Sequence, residues 1–287
     1  MQTQKNDNWL FEISSKRKLI ELNFKEIYQY RDLLVLFVKR DIVTVYKQTV
    51  LGPLWFFIQP LFTSVIFTLV FNNIAKINTG AVPPFLFNLS GITAWNYFRI
   101  CLTGTSNTFR SNSGIFGKVY FPRFIVPLSK VISNLVKLGI QFLILIGFYI
   151  YYATQGFDIT PSAYTFLIPA YVLLMALYGL GVGMIISTLT TKYRDLSILL
   201  GFVMQLLMYI SAVPYPMSEL TDSSYGWVVE YNPLAYIIEG FRFVLFNDPV
   251  AYFSWNSFGI ISALAVTLFV IGLALFNRTE KTFIDTV

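Results

Sequence analysis

Two polar rows interrupt an otherwise apolar sequence. Asn96, Arg99, Thr103, Asn107 and Arg110 follow one another at steps of three or four residues, as do Lys130, Asn134, Lys137 and Gln141. At 3.6 residues per turn, each row lies along one face of a helix. Guanidinium, ammonium and amide groups in such rows supply fixed positive charge and hydrogen-bond donors, which suit holding or guiding a phosphate-bearing anion. Glu239 and Arg242 are three apart, so they can pair on one helical face. The rest of the repertoire is thin, with no histidine and the single cysteine Cys101. That excludes His-based acid–base catalysis, Ser-His-Asp and Cys-His nucleophiles, His or Cys metal sites and internal disulfides. No metal or cofactor is expected on this chain. No G-x-x-x-x-G-K-[ST] is present, so nucleotide hydrolysis would have to be supplied by another protein. Gly179, Gly181 and Gly183 fall within an apolar run and fit close helix packing better than a phosphate cradle.

The elements that carry these residues must lie in a bilayer. Of 287 residues, 55% are hydrophobic and 13% charged, about half the roughly 25% charge of a soluble domain. A span needs about 20 mostly apolar residues. Six segments qualify: Leu54–Phe71, Pro84–Phe109, Ile125–Tyr152, Tyr164–Leu189, Leu196–Val213 and Phe258–Phe276. With the N-terminus inside, residues 1–53, 110–124, 190–195 and 277–287 are cytoplasmic and hold 16 of the 21 Lys and Arg residues. The outer pieces hold only Lys76 and Arg242. This asymmetry orients the chain and puts both termini in the cytoplasm. The expected fold is therefore an all-α integral membrane protein. It has a cytoplasmic arm over 1–53 and a six-helix domain over 54–287. The first 30 residues are polar and charged, so no cleavable signal peptide is expected.

Ionisable groups inside spans are costly unless they face protein or water. Arg99, Lys130 and Lys137, with Asn96 and Gln141, are thus candidates for a polar, cationic path between helices. Lys130 can alternatively snorkel to the interface, and Arg99 and Lys137 can alternatively serve structural pairing. In the arm, Asp32 is placed to cap a helix running to Thr49, with Val35, Val38, Ile42, Val45 and Thr49 on one stripe. Lys39, Arg40 and Lys47 lie elsewhere on that cylinder, the pattern of a helix in the membrane interface with its cations toward lipid phosphates. Between the fifth and sixth spans, Ser218–Tyr225 suggests one short helix. Asn232, with Pro233 at the first helical position, starts another that stops near Phe246 at Asn247-Asp248-Pro249. Fourteen residues rise only about 21 Å. Short helices over about 215–248 therefore read as a re-entrant outer gate formed by Asn232, Pro233, Glu239 and Arg242, or as a passive cap. The 28 Phe and 18 Tyr residues could stack on sugars or form ordinary packing and interfacial belts.

Several motifs in order carry a family resemblance. Arg31-Asp32-Leu33-Leu34, Lys39-Arg40-Asp41-Ile42, Tyr46-Lys47-Gln48-Thr49, Leu51-Gly52-Pro53-Leu54-Trp55 and Gln59-Pro60 open the chain. Lys118-Val119-Tyr120-Phe121-Pro122-Arg123, Pro127-Leu128, Tyr193-Arg194-Asp195, and Asn232-Pro233-Leu234 with Arg242 follow. Together they resemble the permeases of polysaccharide and polyol-phosphate ABC exporters, with O-antigen and teichoic acid exporters nearest in kind. The match runs from about residue 20 to 280, and its specificity lies in the order of the motifs.

The resemblance implies two copies of this chain forming a channel in a bacterial inner membrane, with a homodimer of ABC ATPase subunits docked below and holding ATP and Mg. The segment from about Ser111 to Pro122 would be a coupling helix. Lys118, Tyr120, Phe121, Pro122, Arg123, Tyr193, Arg194 and Asp195 would meet the ATPase. The cargo would be a lipid-linked polysaccharide, membrane lipids would surround the channel, and nucleic acid would play no part. A membrane-embedded glycolipid transferase is the competing class. It would need a carboxylate cluster, and the six spans contain no Asp or Glu. An ion-coupled carrier would call for buried carboxylates or inverted repeats, and neither is visible.

Overall fold

In a computed structural model, the residues described are 24–47, 52–157, 159–221, 224–247 and 253–283. Gln48, Thr49, Asp158, Asp222, Asp248 and Pro249 lie outside them. The described chain is helical, with no strand. The principal helices are α1 (Arg31–Lys47), α2 (Trp55–Phe67), α3 (Pro84–Ser106), α4 (Ile125–Thr154), α5 (Ile168–Thr190), α6 (Leu196–Ile210), α7 (Pro233–Phe246) and α8 (Trp255–Phe283). Among the described residues, Trp55–Ile74, Ile125–Thr154, Thr165–Thr190 and Trp255–Glu280 are long and apolar enough to cross a membrane. The apolar α6 is shorter, and α3 is long but carries the first polar row.

α3 is the centre of the bundle. Leu86, Leu89, Trp95, Cys101 and Leu102 along its length are buried. It packs on α5, α4, α2 and α7. The approach of α5 to α3 is so close that a Cβ on Gly179 would lie 2.7 Å from the Cys101 Cβ, and one on Gly183 would lie 2.6 Å from the Thr105 Cβ. Gly181 faces the other way, where a Cβ would lie 2.8 Å from the Leu268 carbonyl carbon in α8. Small residues are what let backbones meet without side chains between them, as expected from their spacing.

α2 widens at its far end into a π-helical turn over Thr68–Ile74. The buried Asn88 in α3 donates to Thr68 Oγ1 at 3.1 Å and to Asn72 Oδ1 at 2.8 Å. Amide hydrogen bonds thus tie the two helices where apolar packing alone would leave the widened turn unsupported.

Four local expectations need correction. Asp32 does not cap α1, because a preceding turn of helix, Phe24–Gln29, feeds into it. Tyr30 donates its N–H to Glu26 and accepts from Leu34, so there is no free helix end to cap. On α1 itself Phe37 is buried against the bundle, whereas Val35 and Leu36 are exposed. α6 ends at Ile210, three residues early, because Ala212 adopts a left-handed φ of 54° and its carbonyl turns toward Arg242. The segment from about Ser111 to Pro122 is not one helix. The single turn Thr108–Ser111 ends where the segment begins, and only the turn Ser113–Phe116 lies within it. Likewise, Ser218–Thr221 and Gly226–Glu230 are two separate turns.

Replacing Gly183 by Val is expected to force α5 off α3 at a cost of about 1–3 kcal/mol, the usual range for overpacking. A lowered melting temperature of the detergent-solubilised chain would report it. Gly139, which has open space around it, should tolerate Ala with little change.

Candidate functional site

The second polar row meets α1. Lys130, Asn134 and Lys137 line a partly open cavity of about 530 Å³ together with Arg40, Asp41 and Phe56. Asp41 is gripped from two sides. The Arg40 guanidinium donates to its Oδ1 through Nε at 3.2 Å and Nη2 at 3.0 Å, and Lys130 Nζ lies 2.9 Å from its Oδ2. Lys137 has no carboxylate in ion-pair reach among the described residues; its ammonium sits 5.1 Å from the Phe56 ring centroid. The Arg40 guanidinium also lies over the Phe37 ring, 4.7 Å from its centroid.

The first row faces elsewhere. Asn96 and Arg99 line a separate groove of about 350 Å³ between α2, α3 and α6, with Gln59, Thr63 and Gln205. Arg99 makes no side-chain hydrogen bond or ion pair among the described residues. Within one chain, then, the first row is split, with Thr103 lining the cavity beside the second row and Asn96 and Arg99 lining the groove. Gln141 lines neither; it is buried, with its amide 3.5 Å from the Phe56 carbonyl. Gln59 and Gln205 were missed, although an amide in each apolar run was a readable signal.

At the same end as α1, the loop after α3 has two sides. Lys118, Val119 and Tyr120 project outward, the last two 58% and 62% exposed. Phe121, Pro122 and Arg123 are buried behind them. Phe121 packs edge-on against Phe37 at 5.8 Å and tilted against Phe116 at 5.8 Å. Arg123 donates to the Glu280 carbonyl at 2.6 Å and covers the Phe116 ring at 5.2 Å. Burial pulls the Arg123 guanidinium below its ordinary range, while Glu280 pushes it back up. Tyr193, Arg194 and Asp195, in the turn between α5 and α6, are exposed. That turn is bound to the end of α3. Thr190 donates to the Ser106 carbonyl at 3.0 Å, and Ser197 donates to Asn107 Oδ1 at 3.2 Å.

The opposite end holds a buried ionic bracket. Asn232 caps α7, accepting from the Leu234 N–H at 3.0 Å, and its amide donates to the Ile210 carbonyl and to Ser211 Oγ. Pro233 takes the first helical position. Glu239 and Arg242 are almost completely buried and lie 3.4 Å apart. Glu239 accepts from the Met217 N–H at 2.7 Å. Arg242 donates to the Ala212 and Val213 carbonyls and lies 3.6 Å from the Phe87 ring centroid. The pair thus stitches the stretch after α6 to α7 and α3.

The family model described as ABC-2 type transporter matches residues 32–246. The chain is similar to the O-antigen export system permease protein RfbA of Klebsiella pneumoniae, 29% identical over 260 residues covering 88% of this chain and 94% of that protein. It is similar to the protein of the same name from Myxococcus xanthus, 23% identical over 266 residues covering 92% and 98%. It is also similar to the capsule polysaccharide export inner-membrane protein CtrC of Neisseria meningitidis, 22% identical over 249 residues covering 84% and 89%.

Glu239→Leu leaves Arg242 charged and buried with part of its partner set removed, so a loss of about 3–5 kcal/mol is expected. The pair Glu239→Leu with Arg242→Met should lose less than Glu239→Leu alone. Melting temperatures of the three variants check both statements; equal losses would mean that the charge pair is not what brackets α7.

Proposed function

The chain belongs to the ABC-2 type transporter family, and from that premise we propose that it is the membrane permease subunit of an exporter that carries a lipid-linked polysaccharide across a bacterial inner membrane. The cargo that fits best is an O-antigen chain on undecaprenyl pyrophosphate. What carries the reading is near full-length similarity to proteins named for O-antigen and capsule export. The similarity to the capsule export protein favours capsule polysaccharide as the second reading. Teichoic acid export is the further alternative within the class.

In this proposal α2, α3, α4, α5, α6 and α8 are six spans with both termini in the cytoplasm, and α1 lies in the cytoplasmic interface. Two copies form the channel, and membrane lipids surround it. A homodimer of ABC ATPase subunits binds ATP and Mg and drives transport, while this chain holds no cofactor and no metal and needs no nucleic acid. The helices over 218–246 form the outer gate, with Asn232, Pro233, Glu239 and Arg242 bracing it. The exposed Lys118, Tyr120, Tyr193, Arg194 and Asp195 meet the ATPase. Phe121, Pro122 and Arg123 act behind them, as the rigid backing of that surface. A cationic face at the inner end also fits the positive-inside rule.

The test is co-purification joined to an export assay. The chain should recover an ATPase subunit, and export should cease when that subunit's hydrolysis is disabled. Export that continues would overturn the reading, and glycan transfer by the chain alone would establish the transferase class instead. Tyr120→Asp should lower ATPase recovery by tenfold or more, the effect of losing one interfacial hot spot of about 2 kcal/mol, with less loss of the permease's melting temperature than a core truncation. Phe121→Ala should lower both, because Phe121 is buried and truncation of a core Phe costs about 3–5 kcal/mol.

A further inference from the structure

We propose that the cavity between α1 and α4 binds a phosphomonoester or pyrophosphate group, and that Asp41 is the built-in counter-ion which this anion displaces. The natural ligand's identity rests on the exporter reading; the site rests on geometry and charge.

Three cations and one carboxylate line the cavity: Arg40, Lys130 and Lys137 against Asp41. Two positive charges are uncompensated. Asp41 already shows how the site holds an anion. Its two oxygens are met by separate cations, Arg40 on Oδ1 and Lys130 on Oδ2. Lys137 stays uncommitted to any carboxylate. Asn134 is only 4% exposed, and its side-chain amide makes no hydrogen bond with another described residue. Asn134 and Lys137 both line the cavity, so a ligand oxygen there could accept from the amide and from the ammonium together. Phe56 supplies an apolar wall beside them.

Charge selects the ligand class. A phosphodiester headgroup brings one negative charge, whereas a phosphomonoester brings about −1.5 to −2 at neutral pH and a pyrophosphate at least as much. Only the latter two can neutralise Lys130 and Lys137 together. Displacement has a mechanical consequence. The Asp41–Lys130 pair joins α1 to α4, so an anion that takes Lys130 releases the C-terminal half of α1. The cavity therefore couples headgroup occupancy to the position of the interface helix.

The full-length chain in phosphatidylcholine nanodiscs would be titrated with geranylgeranyl pyrophosphate, with inorganic pyrophosphate as competitor. Asp41→Asn removes the competing charge and should tighten binding roughly tenfold, whereas Lys137→Gln should weaken it roughly tenfold, the size of one charge-assisted hydrogen bond. Lys137→Gln breaks no ion pair, so it keeps the test open should Asp41→Asn fold poorly. Competition by inorganic pyrophosphate would support a site that reads the headgroup alone. Binding of the lipid without such competition would support one that also uses the isoprenoid. The proposal is overturned if Asp41→Asn binds no more tightly, if Lys137→Gln binds no more weakly, or if phosphatidylglycerol displaces the ligand equally well. An unmodified chain that exports but does not bind geranylgeranyl pyrophosphate would sink this site alone, and binding without ATP-driven export would sink the exporter reading alone.

Discussion

Hydrocarbon offers no hydrogen bonds, and every polar side chain set among these apolar helices has to answer to that. A charged residue at mid-bilayer costs about 2.5–3.5 kcal/mol even on forgiving scales. The chain meets the constraint in three ways. Arg242 is surrounded by a carboxylate, two carbonyls and an aromatic face. Lys130 is paired with a carboxylate borrowed from α1. Arg99 is given no such partner among the described residues and opens on a groove lined by amides. The degree of satisfaction separates structural charges from those available for work. Arg242 is fully enclosed, Lys130 is half-enclosed by one ion pair, and Arg99 has no side-chain partner among the described residues.

Close helix packing is what makes the central polar helix tolerable. Glycines in α5 bring its backbone against α3 on one side and α8 on the other. Most of α3 is thereby shielded, although it carries Asn88, Thr93, Asn96, Arg99 and Thr103. Dispersion over that contact replaces the hydrophobic drive that helices lack in lipid. The hydroxyls of α3 largely return to its own carbonyls, as Thr93 does to Leu89 and Thr103 to Arg99. Few polar atoms are then left for lipid to meet, and those that remain collect in the cavity and the groove.

How much of this was readable from the residues depended on range. Apolar runs and turn chemistry act over a few residues, so the long helices, the Asn232 cap, the Pro233 start and the Glu239–Arg242 pair all appear where local rules put them. Facing was not readable where a distant partner decided it. The inward turn of Arg40 depends on Asp41 and Lys130 meeting across two helices. The early end of α6 depends on Arg242 drawing the carbonyls of residues 212 and 213. The burial of Phe121 and Arg123 depends on Phe37, Phe116 and Glu280. In each case periodicity correctly put a residue on a helix or in a loop, and long-range contact fixed which way it faced. The division of the first polar row between cavity and groove was likewise beyond reach, since helical spacing gives a face but not a neighbour.

Under the proposed function, the groove and the cavity would suit different parts of one ligand. The cavity has cations near the end of the bundle that holds α1, and it fits the anionic head. The groove, with Gln59, Asn96, Arg99 and Gln205, offers amides and one guanidinium, the donors and acceptors that sugar hydroxyls pair with. Phe62 and Val65 on α2 and Phe202 and Leu206 on α6 are exposed beside it. These apolar side chains can face lipid or a second copy, but the amides and Arg99 cannot face lipid cheaply. A second copy of the chain, enclosing water against α2 and α6, would resolve that conflict. The same polar surface that burdens an isolated chain would then become the wall of a shared channel.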